Sequence, residues 1–217
     1  MSRHTAPEEL LLDYAAGALA EGPALAMSLH VALDAKARRT VDRLGALGGA
    51  LLEAESGPGF DEAALARAMA SIDRIAVEPL GPIEPLPQEF AWAPRPLHRY
   101  LRGASGWRRK FGGFDEIPLT MGADRHRVSL LRLAPGRGLP VHRHKGEEYT
   151  VVLHGGFTDS TGNYGPGDFA FGPGDNEHEP IADAGDPCIA LIVLDNPIVL
   201  TGPVGRFLNP LVRRGLI

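Results

Sequence analysis

The chain has 217 residues, of which 44% are hydrophobic and 23% charged, the balance of a globular protein with one large domain or two small ones. Its net charge of −5 disfavours nucleic acid as a direct partner, because phosphate binding relies on clustered lysine and arginine. The single cysteine, Cys188, excludes an internal disulfide. The sequence shows neither the pattern of a signal peptide nor the roughly 20 consecutive apolar residues that would cross a membrane. We therefore expect a cytoplasmic protein without a membrane partner.

Residues 1–75 have the apolar spacing of a small helical bundle. Apolar side chains recur at helical intervals over residues 10–19, and the Gly22-Pro23 pair separates this first helix from a second. The second helical pattern covers residues 24–52, with a break expected near Asp34. A last short helix follows a Gly-Pro-Gly turn, so the sequence predicts an all-helical N-terminal domain.

A proline-rich segment, residues 76–96, follows these helices. Its composition is typical of a semi-extended linker rather than of a packed element. It contains six prolines: Pro79, Pro82, Pro85, Pro87, Pro94 and Pro96. The sequence therefore predicts a linker between a domain at 1–75 and a second domain at 97–217.

Residues 97–217 have short apolar runs separated by turns that contain glycine and proline. Such runs cover 128–133, 149–153 and 188–194, a pattern typical of an all-β domain. Cys188 begins the last run and is expected to be a buried core residue. The predicted fold class is therefore α + β with two domains, a small helical bundle followed by an all-β barrel.

Four side chains in the β region have the spacing of metal ligands. His142 and His144 are two residues apart, which places both imidazoles on one face of a strand. Glu148 opens the next strand after a short turn, and His178 comes from a third strand. Three imidazoles and one carboxylate that converge inside a small barrel form a metal site.

The same residues resemble the two cupin motifs. The first motif reads Gly136-x5-His142-x-His144-x3-Glu148-x6-Gly155, and the second reads Gly167-x5-Pro173-x4-His178, with Asp175 where glycine is usual. This resemblance implies a double-stranded β-helix, or jelly-roll barrel, with a metal on the four ligands. We expect Zn²⁺, with Fe²⁺, Mn²⁺ and Ni²⁺ as alternatives, because this set of ligands accepts several metals.

The order of helices, linker and cupin resembles the ChrR-type anti-sigma factors over nearly the whole chain. Within the helices the resemblance rests on residues 10–19, 30–37 and 47–53. It implies a regulator of transcription that sequesters an extracytoplasmic-function sigma factor through its helices. Release would follow a signal sensed by the metal cupin, such as singlet oxygen or another oxidative stress.

The helical segment departs from that family at its expected zinc site. His4 and His30 match the histidine positions, but Asp34 and Ala37 stand where the family has cysteines. Carboxylate is an allowed zinc ligand, so a second, weaker site on His4, His30 and Asp34 stays open. The alternative is that helix packing alone holds this domain together.

Charge also divides the chain, and it bears on the partner. Residues 1–78 hold 7 Lys/Arg and 12 Asp/Glu, whereas residues 79–217 hold 15 of each. The acidic helices are therefore suited either to docking on a basic protein surface or to a solvated exterior.

Two other hypotheses concern the cupin. The first is a dioxygenase-like or isomerase-like metalloenzyme that acts on a small molecule, with Glu147, Tyr149 or His154 as acid or base. Strand alternation favours His154 among these, although a structural hydrogen bond is the more common role for such a residue. The second is a cupin that serves only to form a homodimer. The helical domain and the linker favour regulation over an enzyme.

Overall fold

Helices precede strands along the chain, which confirms the predicted α + β fold class. The computed structural model describes residues 3–55, 57, 59, 61–75, 84–110, 112–122, 124–174, 177–202 and 205–213. The α-helices in these ranges are α1 Glu8–Ala15, α2 Glu21–Leu33, α3 Ala35–Ala54, α4 Ala64–Asp73, α5 His98–Leu101 and α6 Asn209–Arg213. Within the same ranges, no helix combines the length and the apolar character needed to cross a bilayer.

The predicted break near Asp34 is confirmed, and its cause is a helix cap. Asp34 has extended backbone angles between α2 and α3, and its Oδ1 accepts hydrogen bonds from the Lys36 N–H at 2.5 Å and the Ala37 N–H at 3.0 Å. These bonds satisfy two donors that the first turn of α3 would otherwise leave unpaired. Asp34 therefore starts a new helix instead of continuing the old one.

The strands in the described part of the chain form three antiparallel sheets. In chain order they are β1 Arg108–Arg109, β2 Asp115–Leu119, β3 Arg127–Leu133, β4 His142–Arg143, β5 Glu147–His154, β6 Phe157–Asp159, β7 Gly162–Tyr164, β8 Phe169–Pro173, β9 Glu177–His178, β10 Ile181–Ala182, β11 Cys188–Leu194 and β12 Val199–Leu200. The largest sheet has the order β1-β2-β3-β11-β5-β8, and the two smaller ones have the orders β10-β6-β7 and β12-β4-β9. β4, which carries His142, therefore lies at the centre of a small sheet.

The two faces of the large sheet pack into different hydrophobic cores, because side chains alternate along each strand. On β5, Tyr149 and Val151 face the helices, while Thr150 and Val152 face the interior of the barrel. The helix side forms one continuous core that also includes Leu25 of α2. The helical segment and the barrel thus share a hydrophobic core.

Gly22 lets α2 approach the sheet closely. A methyl group at Gly22 would lie 2.9 Å from Cγ2 of Val128 and 3.2 Å from Cγ1 of Val193, which is closer than two carbon atoms can pack without a shift. Asp124 also accepts a hydrogen bond from the Gly22 N–H. The Gly22-Pro23 pair therefore begins α2, as predicted, and also seats it on β3 and β11.

The end of the predicted linker is packed rather than extended. Short 3₁₀ turns at Gln88–Phe90 and Arg95–Leu97 lead directly into α5. Phe90 and Leu97 are fully buried in the core shared by the helices and the sheet. This segment is not extended because burial of each of these two large apolar side chains stabilises the packed form by about 1.5–3 kcal/mol. The prolines do not oppose this packing, because their fixed backbone angles suit turns. Residues 76–83 lie outside the described residues, and the domain boundaries stay a prediction.

Candidate metal centre

Strand pairing brings the four predicted metal ligands together. His142 on β4 lies directly opposite His178 on β9 in the antiparallel register. His144 directly follows β4, and Glu148 lies at the start of β5, beside Gly172 of β8. The long separation in sequence between His142 and His178 is therefore closed by a single pair of short strands.

The ring nitrogens converge on one point. Nε2 of His178 lies 3.0 Å from Nε2 of His142 and 3.0 Å from Nε2 of His144. Oε2 of Glu148 lies 2.9 Å from Nε2 of His144 and 3.6 Å from Nε2 of His178. Within the described ranges, the three histidines are the one group of three or more potential ligands whose donor atoms all lie within 4.8 Å of one another.

Hydrogen bonds at the far side of two rings decide which nitrogen faces the centre. Nδ1 of His142 donates to the carbonyl oxygen of Pro140 at 2.9 Å, and Nδ1 of His178 donates to Oδ2 of Asp159 at 3.0 Å. In its neutral form an imidazole carries one N–H, so with Nδ1 as the donor the Nε2 atom of either ring presents a lone pair to the centre. Such outer contacts orient metal-binding histidines in proteins.

Charge and burial keep these groups in the protonation states that a cation needs. Burial, together with the neighbouring His178, lowers the pKa of His142 to about 4, so its ring is neutral at pH 7. Burial alone would raise the pKa of Glu148, but the hydrogen bond from His144 and the electrostatic influence of the neighbouring imidazoles lower it below its usual range. The carboxylate is therefore ionised and can only accept hydrogen bonds or bind a cation.

The donor set fits a divalent metal ion. The Nε2 atoms of His142 and His178 both present lone pairs, yet they lie 3.0 Å apart, an arrangement that repels unless a positive charge lies between them. Ligands bound to zinc at about 2.0–2.1 Å lie about 3.0–3.4 Å from each other, depending on the angle at the metal. The cluster could therefore hold a metal ion through His142, His144, His178 and Glu148.

The candidates for the second, weaker site have other partners. Nε2 of His30 accepts from the Ala6 N–H at 3.2 Å, and its Nδ1 donates to the carbonyl oxygen of Gly167 at 2.9 Å, so both ring nitrogens are used. Asp34 caps α3, and Nε2 of His4 lies 3.2 Å from the carbonyl oxygen of Asn163. The structure does not bring His4, His30 and Asp34 together as metal ligands, because the His30 ring joins α2 to the barrel instead.

Position 155 of the motif requires glycine for a steric reason. Its φ is +64°, and a methyl group there would lie 2.4 Å from the carbonyl oxygen of Pro187. Any other residue would push apart the turn after β5 and the start of β11. Gly155 thus holds β5, which carries Glu148, close to its neighbour β11.

The three candidates for an acid or base do not face the metal centre. Tyr149 packs on the helix side of the sheet and donates its hydroxyl to Glu147, and burial raises its pKa above the usual range. Nδ1 of His154 donates to the carbonyl oxygen of Pro187 at 3.2 Å, the structural role that the alternation argument left for it. Cys188 lines the barrel interior, where burial raises the pKa of its thiol to about 12, so it is a poor nucleophile.

Sequence reasoning missed Asp159, which orients His178. Asp159 ends β6, and hydrogen bonds from Thr161 and His178 outweigh burial and lower its pKa, so it is ionised. Thr150 was also missed as a contact of the site, and its hydroxyl donates to Oε1 of Glu148 at 3.1 Å. Strand alternation from Glu148 puts Thr150 on the same face of β5, which was the available signal, whereas nothing in the local sequence marks Asp159.

Comparison with known proteins matches the chain over most of its length. The family described as the ChrR Cupin-like domain matches residues 102–196. The anti-sigma-E factor ChrR of Cereibacter sphaeroides is 33% identical over 214 residues, which cover 97% of this chain and 98% of that protein. The chain belongs to the ChrR family of anti-sigma factors. The suspected resemblance is thereby confirmed over almost the whole chain.

Solved structures extend the match from sequence to fold. The crystal structure of Rhodobacter sphaeroides SigE in complex with the anti-sigma ChrR aligns with 89% of this chain and 99% of that chain, with a TM-score of 0.74 and 33% identity. An RmlC-like cupin protein of Ralstonia eutropha aligns with 46% of this chain, with a TM-score of 0.41 and 15% identity. The ChrR-family fold therefore covers both the helices and the cupin.

Proposed function

We propose that this protein is an anti-sigma factor that sequesters an extracytoplasmic-function sigma factor through apolar side chains of α3 and α4. The proposal rests on one observation: these two helices leave most of their large apolar side chains in solvent, whereas Leu11 of α1 and Leu25 and Leu29 of α2 are buried. The ChrR family adds support, because its relative from Rhodobacter sphaeroides was crystallised in complex with SigE.

The docking surface consists of two apolar stripes. On α3, Leu47 and Leu51 are four residues apart and lie on one face, with Leu52 beside them. On α4, Leu65 and Met69 have the same spacing. Leu52 and Leu65 expose 75% and 73% of their surface. Large apolar side chains that are exposed together in this way are typical of a protein–protein interaction site.

The contrast with α2 shows that the exposure is not general. Leu25 and Leu29 of α2 are almost completely buried against the sheet, as is Leu11 of α1. Leu11, Leu25 and Leu29 therefore belong to the protein's own core, and Leu51 is left for the partner. The charge of residues 1–78 is acidic, which complements a partner with a basic surface.

The barrel is proposed to carry Zn²⁺ on His142, His144, His178 and Glu148, with Fe²⁺, Mn²⁺ and Ni²⁺ as alternatives. Imidazole and carboxylate are the donors that zinc binds in open sites, where the ion acts as a Lewis acid. The protein's own residues fix the donors: Pro140 and Asp159 hold two of the rings, and Thr150 holds the carboxylate.

A structural connection joins this centre to the helices. His30 of α2 donates to the carbonyl oxygen of Gly167, in the turn before β8. β8 pairs with β5, where Gly172 lies opposite Glu148. We infer that a signal at the barrel, such as an oxidant, acts by favouring one arrangement of this connection over another, because regulation requires two states that the signal stabilises unequally.

A metalloenzyme has less support. Glu147, Tyr149 and His154, the residues proposed as acid or base, all lie away from the barrel interior. The apolar stripes on α3 and α4 serve no purpose in such an enzyme.

The test is co-purification of the full chain with the sigma factor encoded beside it. We expect a stable complex, and we expect the pairs Leu51→Glu with Leu52→Glu, and Leu65→Glu with Met69→Glu, each to weaken it at least tenfold. Ile181→Glu, which changes an exposed apolar residue of the barrel in the same way, is the matched control and should bind normally. Absence of a complex, or equal binding by all variants, would refute the proposal.

A further inference from the structure

The barrel encloses a cavity next to the metal centre. Its volume is about 150 Å³, and His142, Glu148 and His178 form part of one wall. The other walls are mainly apolar and include Leu131, Phe157 and Ile192. The cavity therefore has a polar region that can hold a cation and an apolar region that cannot bind one.

The remaining charged groups on the walls are already paired, and Ser129 adds one uncharged hydroxyl. Oε1 of Glu116 accepts from Arg127 at 2.9 Å, and its Oε2 lies 3.2 Å from the ammonium of Lys110. The Thr150 hydroxyl donates to Glu148, and Asp159 accepts from His178. An anionic molecule entering the cavity would therefore place its charged group at the metal and its apolar part against the walls, because any other orientation would bury a charge without a free counter-charge.

Size and charge define the class of molecule. A cavity of about 150 Å³ is large enough to take up a molecule the size of benzene. A divalent cation held by three neutral imidazoles and one carboxylate leaves one positive charge at the polar end. An anionic head with a compact hydrocarbon body matches both ends.

We propose that the barrel binds a compact apolar monocarboxylate, with its carboxylate at the metal and its body against Leu131, Phe157, Ala190 and Ile192. This inference deepens the role proposed for the barrel and rests on the proposed metal site, but it does not depend on sigma-factor binding. It assigns the chemical class of the molecule that the barrel would sense.

The experiment is calorimetric titration of the metal-loaded full chain with benzoate, which has both the head and the body. Acetate, which lacks the body, and benzyl alcohol, which lacks the carboxylate, are the matched probes. We expect benzoate to bind at least tenfold more tightly than either, and to lose at least tenfold in affinity after the metal is removed. Benzoate binding no tighter than acetate, or unaffected by metal removal, overturns the proposal.

Variants locate the site. Ala190→Leu fills part of the cavity and should weaken benzoate binding at least tenfold while metal content stays unchanged. Ala184→Leu makes the same change at an exposed loop position and should bind benzoate normally. If Ala190→Leu does not melt cooperatively, Ala170→Val on another wall replaces it, with the same expected loss of affinity. Normal binding by the folded cavity variant would refute the assignment.

Metal content and sigma-factor binding, measured on the same samples, separate the possible failures. A chain that binds metal and a sigma factor but not benzoate contradicts only this inference. A chain without metal contradicts the metal site and this inference together.

Discussion

Nδ1 of His30 donates a hydrogen bond to the carbonyl oxygen of Gly167, 2.9 Å away, and so joins α2 to the turn that leads into β8. On the other side of the ring, Nε2 accepts from the Ala6 N–H at 3.2 Å. A position that matches a zinc ligand of the family thus holds a neutral imidazole that connects three segments of this chain.

Replacing His30 should therefore destabilise the whole fold. His30→Ala leaves the Ala6 N–H and the Gly167 carbonyl unpaired and opens a cavity, for an expected loss of about 2–5 kcal/mol in the free energy of unfolding. Urea unfolding followed by circular dichroism measures it. The control is His154→Ala, which changes an exposed histidine and should stay within about 0.5 kcal/mol of the original chain. Equal losses from both variants would contradict the role given to His30.

The protonation of His30 predicts a pH dependence. Burial lowers the pKa of His30 in the folded chain below its ordinary value of 6.5. At a pH just below 6.5, His30 is therefore protonated in the unfolded chain but still neutral in the folded one. The stabilisation from the neutral ring is complete above pH 6.5 and is lost as the pH falls towards the folded-state pKa.

A comparison with His30→Gln isolates this effect. Both chains keep the same metal ligands, so the difference between their unfolding free energies cancels the titration of the metal site. We expect the free energy of unfolding of the original chain to exceed that of the variant by less at pH 5 than at pH 7.5. An advantage that does not change with pH would show that His30 does not carry the effect.

Metal content should follow the barrel histidines alone. We expect about one metal ion per chain by mass spectrometry, lost when His142 and His144 are both replaced by alanine, because two of four donors are then absent. His4→Ala should retain the metal, since His4 contacts Asn163 instead of joining a group of ligands. A second ion that depends on His4 would revive the weaker site, and iron or manganese in place of zinc would change the proposed identity.

A single methyl group at Gly22 should cost stability. Gly22→Ala places that group 2.9 Å from Val128, and overpacking of this kind costs about 1–3 kcal/mol. Gly48→Ala on α3 is the matched control, because nothing lies within 4 Å of the added carbon. This control should be neutral or stabilising, since alanine favours a helix over glycine by about 0.5–1 kcal/mol. Thermal unfolding of the two variants compares them directly.

The cluster of proposed metal ligands could be found from the sequence because such ligands need fixed offsets. His142, His144 and Glu148 lie within seven residues, where strand alternation decides which side chains meet. His178 needed the resemblance to a second motif, since only strand pairing brings it opposite His142. That these residues bind a metal stays a prediction.

The packing of the helical segment was harder to predict from the sequence, because helical periodicity identifies an apolar face but not what covers it. Leu25 and Leu51 both fit the pattern, yet one is buried against the sheet and the other lies in solvent. The same limit applies to Phe90 and Leu97, whose burial depends on distant strands and is hidden locally by the surrounding prolines. Tertiary packing, rather than local preference, decided each of these cases.

The close seating of Gly22 on Val128 and Val193 has a consequence for the variation of this family. The three residues come from α2, β3 and β11, and together they share a space that has no room for one more carbon atom. A larger residue at position 22 fits without strain only if the residue at 128 or 193 is smaller. Relatives with alanine or serine at position 22 should therefore carry a smaller residue at 128 or 193, so that these positions change together over evolutionary time.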